Sequence, residues 1–204
     1  MPPDGTATRE RILDAAERLV IENGFSATSV DSVIDESSSS KGAFFHHFAT
    51  KEELARALVE RYAAADVAHL HSALATVTAA SDDPVEQAVA FVRVFEDTAD
   101  ELMGAQSSCL YVSILTERQL ADAGTSEQIV EAIVAWRDGL APILRTVLEA
   151  RGNPEIDADD LADHLFVTFE GAFILCRSTG DSRHMRAQLR IVRQLLESVL
   201  ASSV

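Results

Sequence analysis

The chain has 204 residues, 47% of them hydrophobic and 25% charged, which excludes disorder and allows a sizeable buried core. A formal net charge of −16 excludes a protein that coats nucleic acid indiscriminately. No stretch reaches the roughly twenty apolar residues of a membrane span, residues 1–24 lack the core of a signal peptide, and Cys109 and Cys176 have no disulfide-scaffold or zinc-knuckle spacing, so a cytoplasmic protein without metal or cofactor is expected.

Thr28 is placed to accept from the N–H groups of the turn that follows it. Asp31, three positions on, gives a capping-box-like start to a short helix through Val30, Val33 and Ile34. That helix should stop within Ser37 to Ser40, because serine hydroxyls compete for backbone hydrogen bonds and favour caps over helix interiors. Ser39 or Ser40 then caps a second short helix carrying Phe44, Phe45 and Phe48, which completes the sequence shape of a helix-turn-helix. Phe44 and Phe48 are four apart and share an inward face, leaving Lys41, Ala43, Phe45, His46 and His47 around the remainder. At the start of such a helix the free N–H groups and the dipole favour phosphate, and side chains there reach base edges in a major groove. Thr50 caps the next helix, with Lys51 at its first position. From Ser37 to Lys51 there are two lysines, two histidines and no acid. Residues 1–51 carry five Lys/Arg and eight Asp/Glu, a net of −3, so −13 falls on residues 52–204.

Beyond Leu54 the pattern is helical throughout, and the expected class is all-α with about nine helices. One long helix runs from Leu54 past His71 and breaks at Ser81-Asp82-Asp83-Pro84; the next begins at Pro84 and is apolar on two faces, through Val85, Val92, Phe95 and through Phe91, Val94. After Gly104 a shorter helix spans Leu110 to Leu120 and ends near Asp122-Ala123-Gly124. Thr125 or Ser126 caps a long helix through Trp136 and Val147, with a kink expected at Pro142, closed by Arg151-Gly152-Asn153-Pro154. The last two helices cover Asp157 to about Ser178 and Ser182 to about Ala201. Leu161, Leu165, Phe169, Ala172 and Phe173 form a stripe on the first, and Leu189, Val192 and Leu196 one on the second. Each is wider than a single neighbour needs, which points to a homodimer built by pairing two such hairpins into a four-helix bundle.

Residues 8–54 resemble the DNA-binding domain of the TetR family of bacterial transcriptional regulators. The likeness is carried by Arg11-Ile12-Leu13-Asp14-Ala15-Ala16, Gly24-Phe25, Thr28-Ser29-Val30, Ser40-Lys41-Gly42-Ala43-Phe44-Phe45-His46-His47-Phe48 and Lys51-Glu52-Glu53-Leu54. It implies two domains, 1–51 for DNA and 52–204 for ligand binding and dimerisation. It also implies that Thr28, Ser29, Ser40, Lys41, Ala43, Phe45, His46, His47 and Lys51 lie on or near double-stranded operator DNA, with Gly42 allowing close approach. Four positions depart from the family's pattern. Ser38 and Ser39 stand where a turn glycine and an apolar anchor are usual, Phe45 where tyrosine is usual, and Ala43 where a hydroxyl is often present. The family's middle helices hold a small-molecule effector. Here Phe91, Phe95, Met103, Cys109, Tyr111, Trp136 and Phe169 are the candidate lining, with His69, Gln106 or Glu117 as polar handles and core packing as the plain alternative.

The resulting expectation is a homodimeric repressor released from its operator by a small, largely hydrophobic molecule. The alternative is a helical ligand- or partner-binding dimer that has lost DNA binding. An enzyme is not expected, since no GxSxG elbow, P-loop, GxGxxG or HExxH occurs.

Overall fold

The computed structural model describes residues 5–105, 109–117, 125–150, 152 and 155–201, and among these residues it has nine helices and no strand. They are α1 (Gly5–Asn23), α2 (Val30–Glu36), α3 (Lys41–His47), α4 (Lys51–Ala80), α5 (Pro84–Ala105), α6 (Leu110–Leu115), α7 (Thr125–Ala150), α8 (Ala158–Thr179) and α9 (Arg183–Ala201). The chain is all-α, as its periodicity predicts. No described helix is long and apolar enough to cross a membrane, and no described group of His, Cys, Asp or Glu is arranged to hold a metal ion. Packing divides the chain into two compact units, Met1–Ala64 with Ser108–Val130 and Ala65–Ser107 with Glu131–Val204. The first unit thus includes α6, which packs on α1 although it lies far along the chain.

In the first unit, α1 buries Ile12, Leu13, Ala15, Ala16, Val20 and Ile21, one face of a 3.6-residue repeat. Glu10, Asp14 and Glu17 recur at intervals of four and three, so they line a single adjoining strip. Arg61 of α4 bonds all three carboxylates, at 3.1, 2.7 and 2.7 Å. Burial alone would lower the Arg61 pKa, but the hydrogen bonds it donates to Glu17, Asp14 and Glu10 outweigh it and raise the value. Gly24 closes α1 at φ +84°, its N–H bonding Val20 O at 2.9 Å. Helix α6 is shorter than its sequence suggests. It stops at Leu115, where Thr116 caps it and turns its hydroxyl back onto Val112 O at 2.8 Å. The expected terminus at Asp122-Ala123-Gly124 lies outside the described residues.

In the second unit, α9 packs along α5 and α8. A ladder of arginines ties α9 to α5: Arg186 to Asp100 at 2.8 Å, then Arg190 and Arg193 to Glu96 at 3.1 and 2.7 Å. Hydrogen bonding from Arg193 holds the Glu96 carboxyl below its usual range, against burial that would raise it and with further help from Arg190. Helix α7 comes close to α4 at Gly139, where a Cβ would stand 2.8 Å from Leu74 Cδ1. It runs on through Pro142, which faces solvent. Asp157 caps α8 by accepting from Asp159 N and Asp160 N, and Gly180 at φ +72° ends it.

Candidate nucleic-acid interface

Helix α2 begins one residue later than its sequence suggests. Ser29 is the cap, accepting from Ser32 N at 3.0 Å, and Ser32 Oγ accepts in return from Ser29 N at 3.0 Å, so two serines form the box in place of Thr28 and Asp31. Thr28 is buried, with its hydroxyl donating to Gly24 O at 2.9 Å. The carbonyl left open at the end of α1 claims Thr28 before α2 can.

Between α2 and α3 the chain makes a Schellman turn. Ser39 N bonds Ile34 O and Ser38 N bonds Asp35 O, both at 3.1 Å, with Ser38 at φ +50° where glycine usually sits. Ser37, buried, gives its hydroxyl to Ile34 O and lies 2.9 Å from Ser39 Oγ. The missing apolar anchor is thereby replaced by a small hydroxyl network. Ser40 then caps α3, accepting from Ala43 N at 3.1 Å.

Phe44 and Phe48 are fully buried, and Lys41, Gly42, Phe45 and His46 are exposed, with Ala43 and His47 half-buried. Lys41 Nζ stands 4.0 Å from Asp31 Oδ1, both side chains largely in solvent, so the pair is weak and the charge available. Lys51 differs from what its place at a helix start implies. Its ammonium folds inward, donating to Phe25 O at 2.6 Å and sitting 4.1 Å from the centre of the Phe25 ring. Burial lowers its pKa, opposed mainly by Glu117. Glu117, expected as a handle for a ligand, instead accepts from Ser26 Oγ at 2.6 Å and Ser26 N at 3.2 Å. Those two bonds hold its carboxyl below the usual range. The outward surface of α3 itself carries no acid, while Asp31 at the start of α2 and Glu52 and Glu53 at the start of α4 flank it.

The candidate effector residues separate into two groups. In the second unit Phe91, Phe95, Trp136 and Phe169 form a cluster with ring centres 5.2 to 6.0 Å apart, and His69 stacks on Phe95 at 5.2 Å. Trp136 Nε1 donates to Asp66 Oδ2 at 3.0 Å. Cys109 and Tyr111 belong to the first unit, where Tyr62 meets the Tyr111 ring edge-on and donates to Cys109 Sγ. Met103 is half-buried on α5, and Gln106 lies outside the described residues. A separate apolar cavity of about 60 Å³ opens between α5, α7, α8 and α9, lined by Leu140, Leu144, Leu165 and Leu196 with His164 at its side.

The residues expected to form the dimer stripe lie largely inside the protomer. Leu165, Phe169, Ala172, Phe173, Leu189 and Leu196 are all buried within the protomer, and Leu161 and Val192 are half-buried. They are this unit's own core. The apolar side chains left in solvent on these helices are Val167, Ile174, Ile191 and Leu195, between 49% and 61% exposed. Their spacing was visible in the sequence: Val167, Gly171 and Ile174 at intervals of four and three, Ile191 and Leu195 four apart.

Comparison with known proteins bears on both units. The model for bacterial regulatory proteins of the tetR family matches residues 12–58, and that for the LmrA/YxaF-like transcriptional regulator C-terminal domain matches 84–190, more than half of the chain. The chain is similar to the transcriptional regulator AcuR of Cereibacter sphaeroides, 25% identical over 184 residues that cover 84% of this chain and 77% of that protein. It is also similar to the HTH-type transcriptional repressor NemR of Escherichia coli K12, 26% identical over 144 residues, 70% of this chain and 67% of that one. Other relatives match over 46 to 59 residues, and the chain then spans only 24% to 30% of their length. A solved TetR transcriptional regulator from Chloroflexus aurantiacus superposes with a TM-score of 0.72 at 27% identity, covering 93% of this chain and 94% of that one.

The turn gives a first testable consequence. A side chain at positive φ is strained, so Ser38→Gly is expected to raise stability by about 0.5–1 kcal/mol. This reads as a higher urea midpoint with the slope unchanged; an equal or lower midpoint would contradict it.

Proposed function

The chain belongs to the TetR family of bacterial regulatory proteins, and from that premise we propose that it is a homodimeric repressor released from operator DNA by a small, largely hydrophobic effector. Membership makes it a transcriptional regulator with a DNA-binding helix-turn-helix. In this reading residues 1–51 hold the operator, residues 52–204 bind the effector and pair the protomers, and the protein works in the cytoplasm beside the chromosome.

The observation that carries the DNA half is Gly42. It is exposed inside α3, its φ is not positive, and an added Cβ would meet nothing nearer than Ser40 Oγ at 3.9 Å. Glycine inside a helix costs about 1 kcal/mol relative to alanine. Nothing among the described residues requires it, whereas close approach of a nucleic-acid backbone would favour it. The reading contacts are Lys41, Gly42, Ala43, Phe45, His46 and His47. The hydroxyls of Ser29 and Ser40 and the inward Lys51 hold the helix starts whose N–H groups face phosphate.

Dimerisation is supported by the outward apolar side chains Val167, Ile174, Ile191 and Leu195, with exposed Gly171 allowing another helix to come close. Effector binding is supported by the aromatic cluster around Trp136, where apolar rings converge on one polar pair, Trp136 with Asp66. An effector that prefers one spacing of the two reading heads shifts the dimer by no more than its differential affinity.

Gly42→Ala is expected to stabilise the protein by up to about 1 kcal/mol while weakening operator binding in an anisotropy titration. Binding that is unchanged or tighter would remove the argument from close approach. Val167→Glu together with Ile174→Glu should reduce the sedimenting mass from a dimer to the 22.1 kDa chain; a dimer that persists would place the interface elsewhere. Trp136 is the chain's only tryptophan, so an apolar effector in this cluster should change its emission and release the operator together. Release without any change in emission would move the effector site away from it.

A further inference from the structure

We propose that this protein reads its operator chiefly through thymine methyl groups, with the Phe45 ring as the specifying contact and Ala43 beside it; the inference rests on the DNA-binding reading above. Polar readout of guanine takes a bidentate Arg or Lys, and of adenine an Asn or Gln. From Ser37 to Thr50 the chain has no Arg, Asn or Gln and a single lysine, Lys41. The polar groups at the neighbouring helix starts are engaged internally. Ser29 Oγ caps Ser32 N at 3.0 Å, Thr28 donates to Gly24 O at 2.9 Å, and Lys51 donates to Phe25 O at 2.6 Å. His46 and His47 follow Phe45 directly and meet edge to face at 5.0 Å; an imidazole offers no bidentate pair to a base edge of the kind Arg, Asn or Gln makes.

What the front of α3 offers is therefore mostly apolar. Phe45 is 46% exposed, and its ring is the apolar side chain that α3 presents to solvent. Its orientation is set from inside. Phe44, fully buried, meets it edge-on with centres 5.3 Å apart and planes at 79°. Gly42 and Ala43 next to it are small, so the helix can descend until the ring touches the groove floor. The apolar group on that floor is the C5 methyl of thymine. A tyrosine hydroxyl would have directed this residue toward a phosphate; phenylalanine has no such group, and its ring edge meets a methyl without leaving any polar atom unpaired.

The experiment begins with the full chain selecting its site from a pool of randomised duplexes. Each thymine of the selected site is then replaced in turn by deoxyuridine, which lacks only the methyl, and affinity is measured at fixed salt. At one or more positions in each half-site, deoxyuridine is expected to weaken binding about three- to fivefold, the worth of one buried methyl. Phe45→Ala should bind the thymine and deoxyuridine duplexes equally, and Phe45→Leu should keep part of the preference. Lys41→Ala should weaken both alike. Equal affinity of the unaltered protein for every deoxyuridine duplex would overturn the proposal, as would a thymine preference that survives intact in Phe45→Ala with the fold verified by its melting curve. Failure to select any site would overturn the DNA-binding reading itself, whereas a selected site indifferent to the methyl overturns only this inference.

Discussion

Helix α3 has seven residues, too few to persist alone in water, so it exists only because Phe44 and Phe48 bury one side of it. Full burial of such a ring contributes about 2–3 kcal/mol, and two rings four residues apart also fix the helix about its own axis. Once that rotation is set, Lys41, Gly42, Phe45 and His46 have no direction but outward. Ser40 caps its start by accepting from Ala43 N, Phe48 N closes its end on Phe44 O, and Thr50 caps the helix that follows by accepting from Glu53 N. The reading surface is thus a by-product of core packing. A change at Phe44 or Phe48 would disturb the exposed face of α3 without altering any side chain on it.

The cations of this chain are spent largely on holding helices together. Arg61 gathers three carboxylates of α1, Lys51 closes on the carbonyl and ring of Phe25, and the arginines of α9 clasp Glu96 and Asp100 of α5. Half-buried pairs of this kind add modest net stability, because desolvation offsets much of the attraction. Their greater effect is on register, since a helix sliding by one turn would leave a desolvated guanidinium without its carboxylate. Glu117 adds a related tie, joining the end of α6 to Ser26 in the turn that precedes the reading helices.

Much of the fold was legible in the sequence because its signals are local. The serine run stops α2, Ser40 caps α3, and Pro84, Asp157 and Gly180 bound their helices as the rules of capping require. The differences arise where two local rules compete or where a distant partner decides. Thr28 and Ser29 can each cap α2, and the open carbonyl of Gly24 settles the choice. Leu115 to Leu120 continues a helical pattern, yet Thr116 caps and Glu117 is drawn to Ser26. Lys51 reads as a free cation until Phe25 is seen beneath it. The stripe expected to pair protomers lies largely in the unit's own core for a related reason. Helices α8 and α9 are apolar on two sides, and periodicity gives no account of which side meets the protomer's own α5. The inside and outside of α3 were legible because they differ sharply in chemistry: Phe44 and Phe48 are buried, and Lys41, Phe45 and His46 are exposed.

The inward turn of Lys51 has a kinetic side. A regulator finds its site by sampling a great excess of other DNA, and the time lost at each wrong position grows with the number of phosphates it neutralises. With Lys51 withdrawn and −13 carried by residues 52–204, few cations are left to neutralise the phosphates of arbitrary duplex, a charge balance that favours short contacts and hops over long slides.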